Sequence, residues 1–220
     1  MFLFITLLMN AWADTPTCLE KTAKQSPTVT IQKAAISNQE LLTRLVMAEG
    51  ISTNYQASNE CSDRGAEIFE AIAWGVVARL KMGETHPTWA KKFGKTIPEV
   101  VLKPGQFAPA ISEKSAYSKY FLCPTQAPEW EKHWGWASVA AGQTLLNPHK
   151  SPFIDSKYER AKVLSLVSHF YYPLSKQAHK IPPLWANPKA QAKNLVGEIE
   201  INNKRIPHTC ILFFRHEKPL

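Results

Sequence analysis

The first thirteen residues of this 220-residue chain carry no charged side chain, and no Lys or Arg stands near Met1. Their apolar run of about a dozen residues is too short to span a bilayer. It has the length of a secretory signal, and the small-x-small pattern Ala11-Trp12-Ala13 marks cleavage before Asp14. The other reading is a buried N-terminal segment. "TPTC" before Cys18 lacks the leucine and small residues of a lipoprotein cleavage site, which argues against a lipid anchor. No CxxC and no Cys/His pairing has metal-ligand spacing, and HExxH is absent, so no metal site and no cofactor are expected. Dense runs of Lys or Arg are missing too: Lys91, Lys92, Lys132, Lys150, Lys157, Lys162, Lys189 and Lys193 are scattered, as on a solvated face. Without such a run or a nucleic-acid module signature, no nucleic-acid partner is expected. Internal repeats and low-complexity segments are also lacking.

What is present is a formal charge of +8 and four cysteines, Cys18, Cys61, Cys123 and Cys210, all after the cleavage point. A basic exported protein is drawn to polyanions such as nucleic acid, anionic lipid or bacterial wall polymer. An even cysteine count in an oxidising compartment predicts two disulfides, with three connectivities open. The preferred pairing is Cys61–Cys123 with Cys18–Cys210, the second tying the chain ends together. The expected organisation is a signal peptide (1–13), a loosely ordered lead-in (14–36) and one domain (37–220), monomeric and without stable membrane insertion.

Ser37 and Glu40 have capping-box spacing, so a helix is predicted from Asn38 to a stop at Gly50. Residues 51–64 read as a polar loop. Ile68, Phe69, Ile72, Ala73, Val76, Val77 and Leu80 give a second helix over 66–81, closed by Gly83 and Pro87. Residues 95–107 form a short helix or strand leading into a Pro-Gly turn, and "FLCPTQAPEW" an extended loop. A third helix runs from Trp130 to Leu146. Ser156 and Glu159 repeat the capping-box spacing, so a helix is predicted that passes into a short extended segment before Pro173. "EIEINNKRIPHTCILFFR" reads as a β-hairpin around Asn202-Asn203, with an irregularity at Pro207. The fold class is α+β, mainly α.

Within the first helix Leu42, Leu45, Val46 and Glu49 occupy one face. A carboxylate ending an apolar stripe beside a polar loop is poorly solvated, so its pKa should rise. A glutamic acid kept protonated near neutral pH can donate to a leaving group, most often a glycosidic oxygen. The other reading pairs Glu49 with Arg44, Arg64 or Arg79 in the core.

The ordered segments "LVMAEG", "EIFEAIAWGVVAR", "VVLKPGQFA", "WASVAAGQTLL", "SHFYYP…PPLWA" and "CILFFR" resemble the SleB-type cell wall hydrolases, spore-cortex-lytic enzymes and their relatives in the lysozyme-like superfamily. The resemblance spans about residues 38 to 215. It implies a lysozyme-like domain that cleaves the glycan strands of peptidoglycan between N-acetylmuramic acid and N-acetylglucosamine, with Glu49 as catalytic acid. Pro104, Gly105, Gln106 and Phe107 match the family's cleft turn, Arg79 its helix arginine, and His169, Phe170, Tyr171 and Trp185 its aromatic stretch. The chain departs from the family pattern at Gly50-Ile51-Ser52, Ala78 and Phe69.

By the same resemblance Gln106, Phe107, His169 and Tyr171 would bind substrate. Residue by residue, Gln106 also reads as a turn-stabilising amide, the aromatics (Trp185 included) as core, and His169 as a half-buried hydrogen-bonded side chain. A glycosidase needs a second carboxylate, for which Glu67 and Glu70 are candidates, with surface or salt-bridge roles as the alternative. Without one, the resemblance implies a lytic transglycosylase, in which the muramyl 6-hydroxyl closes a 1,6-anhydro ring. The rivals are a catalytically inactive peptidoglycan-binding module of the same fold, an amidase, and a basic disulfide-stapled structural protein.

Overall fold

Burial begins with Gly65–Thr85, a 21-residue helix whose side chains are enclosed on almost every side from Gly65 to Gly83. A computed structural model describes residues 15–19, 27–153, 167–178 and 181–216 of the chain. The expected signal peptide and the Ser156/Glu159 capping box lie outside those residues. In chain order the helices are α1 (Pro27–Ala34), α2 (Asn38–Ser52), α3 (Asn59–Ser62), α4 (Gly65–Thr85), α5 (Pro87–Phe93), α6 (Ile97–Val101), α7 (Ala108–Ile111), α8 (Ser118–Leu122) and α9 (Trp130–Leu146). The strands are β1 (Val167–Tyr171), β2 (Ile199–Ile201), β3 (Lys204–Ile206) and β4 (Leu212–Arg215). The fold is thus mainly α, with a small C-terminal antiparallel hairpin. Among the described residues, no helix is long and apolar enough to cross a membrane.

Helices α2, α4 and α9 pack on one another around a single main core. Ser37 caps α2 as expected, its hydroxyl accepting from the Glu40 amide at 3.1 Å. The helix does not stop at Gly50, however, but continues to Ser52. Glycine is needed at 50 for space rather than for chain reversal: a Cβ there would lie 2.4 Å from the Phe69 ring of α4. Phe69 is wholly enclosed, a burial that contributes about 1.5–3 kcal/mol. Gly83 likewise lies inside α4 instead of closing it, because the Gly94 carbonyl crosses where a side chain would stand, 1.7 Å from an ideal Cβ.

Other elements also differ from expectation. The lead-in carries α1, which packs on α7; Ile31 is buried and the Thr28 hydroxyl donates to the Ala110 carbonyl at 3.1 Å. The polar loop 51–64 holds α3 and a turn of 3₁₀ helix at Tyr55–Ala57. "FLCPTQAPEW" is helical at its start (α8) and again at Pro124–Gln126.

The hairpin forms as read, β2 on β3, with Asn202 and Asn203 both in the left-handed region that a two-residue turn of this kind requires. β4 does not continue that hairpin. It pairs antiparallel with β1, setting His169 opposite Phe214 and Tyr171 opposite Leu212.

Both disulfides form, but the pairing is Cys18–Cys123 and Cys61–Cys210, which corrects the expected connectivity. Arg44 explains the first. Its guanidinium is fully buried and donates to the carbonyls of Leu122 (2.9 Å), Phe121 (3.3 Å) and Thr17 (2.8 Å), while Glu40 pairs with it at 2.7 Å. With the Leu19 amide bonded to the Leu122 carbonyl, Cys18 is held beside Cys123. The second disulfide follows from the Thr209 hydroxyl donating to Glu60 and from Arg64 donating to the Arg205 carbonyl, which bring Cys210 to α3.

Candidate active site

The last turn of α2, the last third of α4, the turn before α7, and β1 with the chain that follows converge on an open cleft of about 660 Å³. Glu49 lies in its wall, 7% exposed, placed there by the same apolar stripe that buries Leu42, Leu45 and Val46. Burial pushes its carboxyl up to about 7, against the opposing pulls of the Tyr172 hydroxyl, the Arg79 charge and Ser52. Tyr172 donates to Glu49 Oε2 at 2.9 Å, which leaves Oε1 to carry the acid proton. Tyr172 itself is held well above the usual phenol range by burial and by the neighbouring carboxylate, so it remains a donor.

Arg79 reaches the cleft from α4 against two rings, its guanidinium carbon 4.4 Å from the Phe107 centroid and 5.0 Å from that of Phe170. Nη1 donates to Gln106 Oε1 at 3.0 Å. Burial lowers Arg79 to about 10, still fully charged at neutral pH, and Glu49 and Tyr172 pull the other way. Its cation helps keep Glu49 from rising further.

Gln106 and Phe107 both line the cleft, as the turn match implied, but they do different work. Gln106 spends its carbonyl on Arg79. Phe107 is only 1% exposed, so its ring supports Arg79 rather than offering a sugar a free face. His169 and Tyr171 line the cleft too, half-buried, and both lie against Trp185, at ring-centroid distances of 5.9 and 6.1 Å. Trp185 is 48% exposed and presents the open aromatic surface. His169 is lowered to about 4 by burial and by the charges of Arg79, Lys92 and His216, so its imidazole is neutral near pH 7.

Glu67 and Glu70 are not brought to this site. They precede Arg79 on α4 by about 18 and 14 Å of helix rise. Glu67 pairs with Lys204 of β3 at 2.9 Å, whereas Glu70 accepts from Trp74 Nε1 and Asn202 Nδ2, each at 3.2 Å. Among the described residues lining the cleft, Glu49 is the one carboxylate.

Sequence reasoning passed over Tyr172 in favour of Tyr171, and passed over Lys92, which also lines the cleft. A period-two signal was available for the first: Phe170 and Tyr172 alternate with Tyr171 and share the side that meets Arg79 and Glu49. Nothing in the local pattern around Lys92 distinguishes it from its neighbours. Comparison with known proteins adds no relative: no protein-family model, no curated protein and no solved structure matches the chain.

Proposed function

We propose that the protein cleaves peptidoglycan glycan strands between N-acetylmuramic acid and N-acetylglucosamine, as a lytic transglycosylase with Glu49 as acid and then base. The observation that carries this reading is a single protonatable carboxyl, raised to about 7, in the wall of an open cleft that presents no second carboxylate among its described lining residues. Half-neutral at pH 7, Glu49 supplies the proton that a glycosidic leaving oxygen requires. Its transfer from Oε1 breaks the bond to the muramyl anomeric carbon. The Tyr172 hydroxyl, already donating to Oε2, and the Arg79 cation then stabilise the carboxylate left behind. That carboxylate takes the proton of the muramyl 6-hydroxyl as its oxygen attacks the anomeric carbon, closing the anhydro ring and restoring the acid. No carboxylate nucleophile is needed, in keeping with the positions of Glu67 and Glu70.

The class of substrate comes from the SleB-type resemblance together with the lysozyme-like reading of the domain. An exported location fits the two disulfides. The charge of +8 favours adsorption to anionic wall polymer.

The test is a mass-spectrometric digest of purified peptidoglycan by the wild type and by Glu49→Gln. Anhydro-muropeptides released only by the wild type are the expected result. Reducing ends in their place mean hydrolysis by water. Binding to sacculi with no release by either protein replaces this reading with that of an inactive peptidoglycan-binding module.

A further inference from the structure

Besides Glu49 the cleft holds two cations, Arg79 and Lys92. Arg79, Lys92 and His169 all line it, and Gln106 links the first two, accepting from Arg79 at 3.0 Å while its amide nitrogen stands 3.5 Å from the Lys92 carbonyl. Arg79 is buried at the base of this wall, and Lys92, on α5, is its exposed end. The Lys92 ammonium lies 3.0 Å from His216 Nε2 and 5.3 Å from the Phe93 centroid. No carboxylate among the described residues forms an ion pair with it. Burial and then the Arg79 charge lower Lys92, and burial and then the charges of Arg79 and Lys92 lower His169, which is neutral near pH 7. A neutral sugar would leave the repulsion between Arg79 and Lys92 in place, whereas an anionic group seated between the two would relieve it.

We propose that this wall, with Lys92 at its mouth, is a subsite for a carboxylate borne by the muramyl residue, and that it selects which strands the cleft takes. The proposal rests on the glycan-cleaving reading above. Two sources offer that chemistry. A strand stripped of its peptides ends each 3-O-lactyl arm in a free carboxylate; a strand with its peptides keeps that carbon as an amide and carries its carboxylates further out on the stem. The exposed end of the wall, away from the acid, is where such an arm can lie while the glycosidic oxygen meets Glu49.

The experiment measures binding in the Glu49→Gln background, so that nothing is cleaved during the titration. Its probes are three short strands: peptide-free with the lactyl carboxylate, peptide-free with that carboxylate converted to its amide, and stem-bearing. The expected result is about three- to five-fold tighter binding of a carboxylate strand than of the amide strand, a preference erased by Lys92→Met while amide-strand affinity stays the same. Tighter binding of the peptide-free acid than of the stem-bearing strand assigns the anion to the lactyl arm; the reverse assigns it to the stem. Binding of both carboxylate strands no tighter than that of the amide strand overturns the proposal, as does equal weakening of all three strands by Lys92→Met, or no binding of any. A parallel digest by the protein with Glu49 intact separates the two questions. Absence of cleavage defeats the catalytic reading, and the titration still decides the subsite.

Discussion

Glu49 at the end of α2 and Glu67 in the first turn of α4 are both almost wholly enclosed, 7% and 4% exposed, yet their surroundings differ in kind. Glu67 sits at a helix N-terminus, where the backbone dipole favours negative charge, and it meets the Lys204 ammonium at 2.9 Å. Its other oxygen, Oε2, has no hydrogen-bond partner among the described residues. Glu49 sits at the opposite end of its helix, where the dipole disfavours charge, and Arg79 and the Tyr172 hydroxyl only partly offset its desolvation. It also lines an open cleft, and Glu67 is not among the residues that line that cleft. Under the proposed function, burial alone would therefore not make a catalytic acid. Helix end, counter-charge and access decide.

The strongest way to break this contrast is to exchange each carboxyl for its amide. Glu49→Gln should lower muropeptide release by about 10²–10⁴, while Glu67→Gln stays within about two-fold of the wild type. Chromatographic quantitation of anhydro-muropeptides at pH 6 reads both. Equal losses would mean that the two sites act through stability rather than chemistry.

A second effect comes from linkage. Glu49 has a folded pKa near 7, above its unfolded value, so the folded state binds the extra proton between those two points. Raising the pH through that window therefore costs stability, up to about 3 kcal/mol above pH 7, and none is lost well below pH 4. Glu49→Gln should accordingly unfold at a higher temperature than the wild type at pH 8, with the gap closing at pH 4. Activity should fall as pH rises through about 7, as the acid form is lost. A gap in Tm that is the same at both pH values would remove the raised carboxyl from the account.

The contrast also marks what the sequence could disclose. The apolar stripe Leu42, Leu45, Val46 identified Glu49 because helical period alone puts a residue on a face. The N-cap at Ser37, the hairpin turn at Asn202-Asn203 and the third helix from Trp130 to Leu146 were legible for the same reason: each rests on neighbours in sequence. What was not legible depends on distant partners. Gly50 has a stop's composition, and only the Phe69 ring from α4 explains why the helix runs through it. The disulfide pairing follows from a buried Arg44 gathering carbonyls near residues 17 and 122, which no cysteine spacing encodes. Glu49 and Gln106, both singled out from the sequence, line the cleft, but Tyr172 was eclipsed by Tyr171 because both are aromatic and adjacent, and β1 decides which of them meets Glu49.

At the Glu67 end, Lys204→Met removes the cation and leaves a buried carboxylate without its partner. The expected loss is about 1–3 kcal/mol of stability, read by urea unfolding, with muropeptide release per folded molecule unchanged. A fall in specific activity would tie the hairpin to the cleft and erase the separation between the two glutamates.

The smallest change is expected from Tyr172→Phe, and it sharpens the account of the Glu49 end. The hydroxyl donates to Glu49 Oε2 and holds the carboxyl below the value that burial alone would set. Its removal raises the Glu49 pKa further, so the alkaline limb of the pH–rate profile moves to higher pH. The same change leaves the departing proton's carboxylate with one donor fewer, so the rate on the acid plateau falls modestly. These two movements oppose each other near pH 8, where loss of the hydroxyl leaves more acid but a poorer one. A simple packing role for Tyr172 would lower the rate uniformly and leave the limb where it was. A shift of the limb towards acid would reverse the sign assigned to this hydrogen bond, and with it the statement that Glu49 is raised by desolvation against its own neighbours.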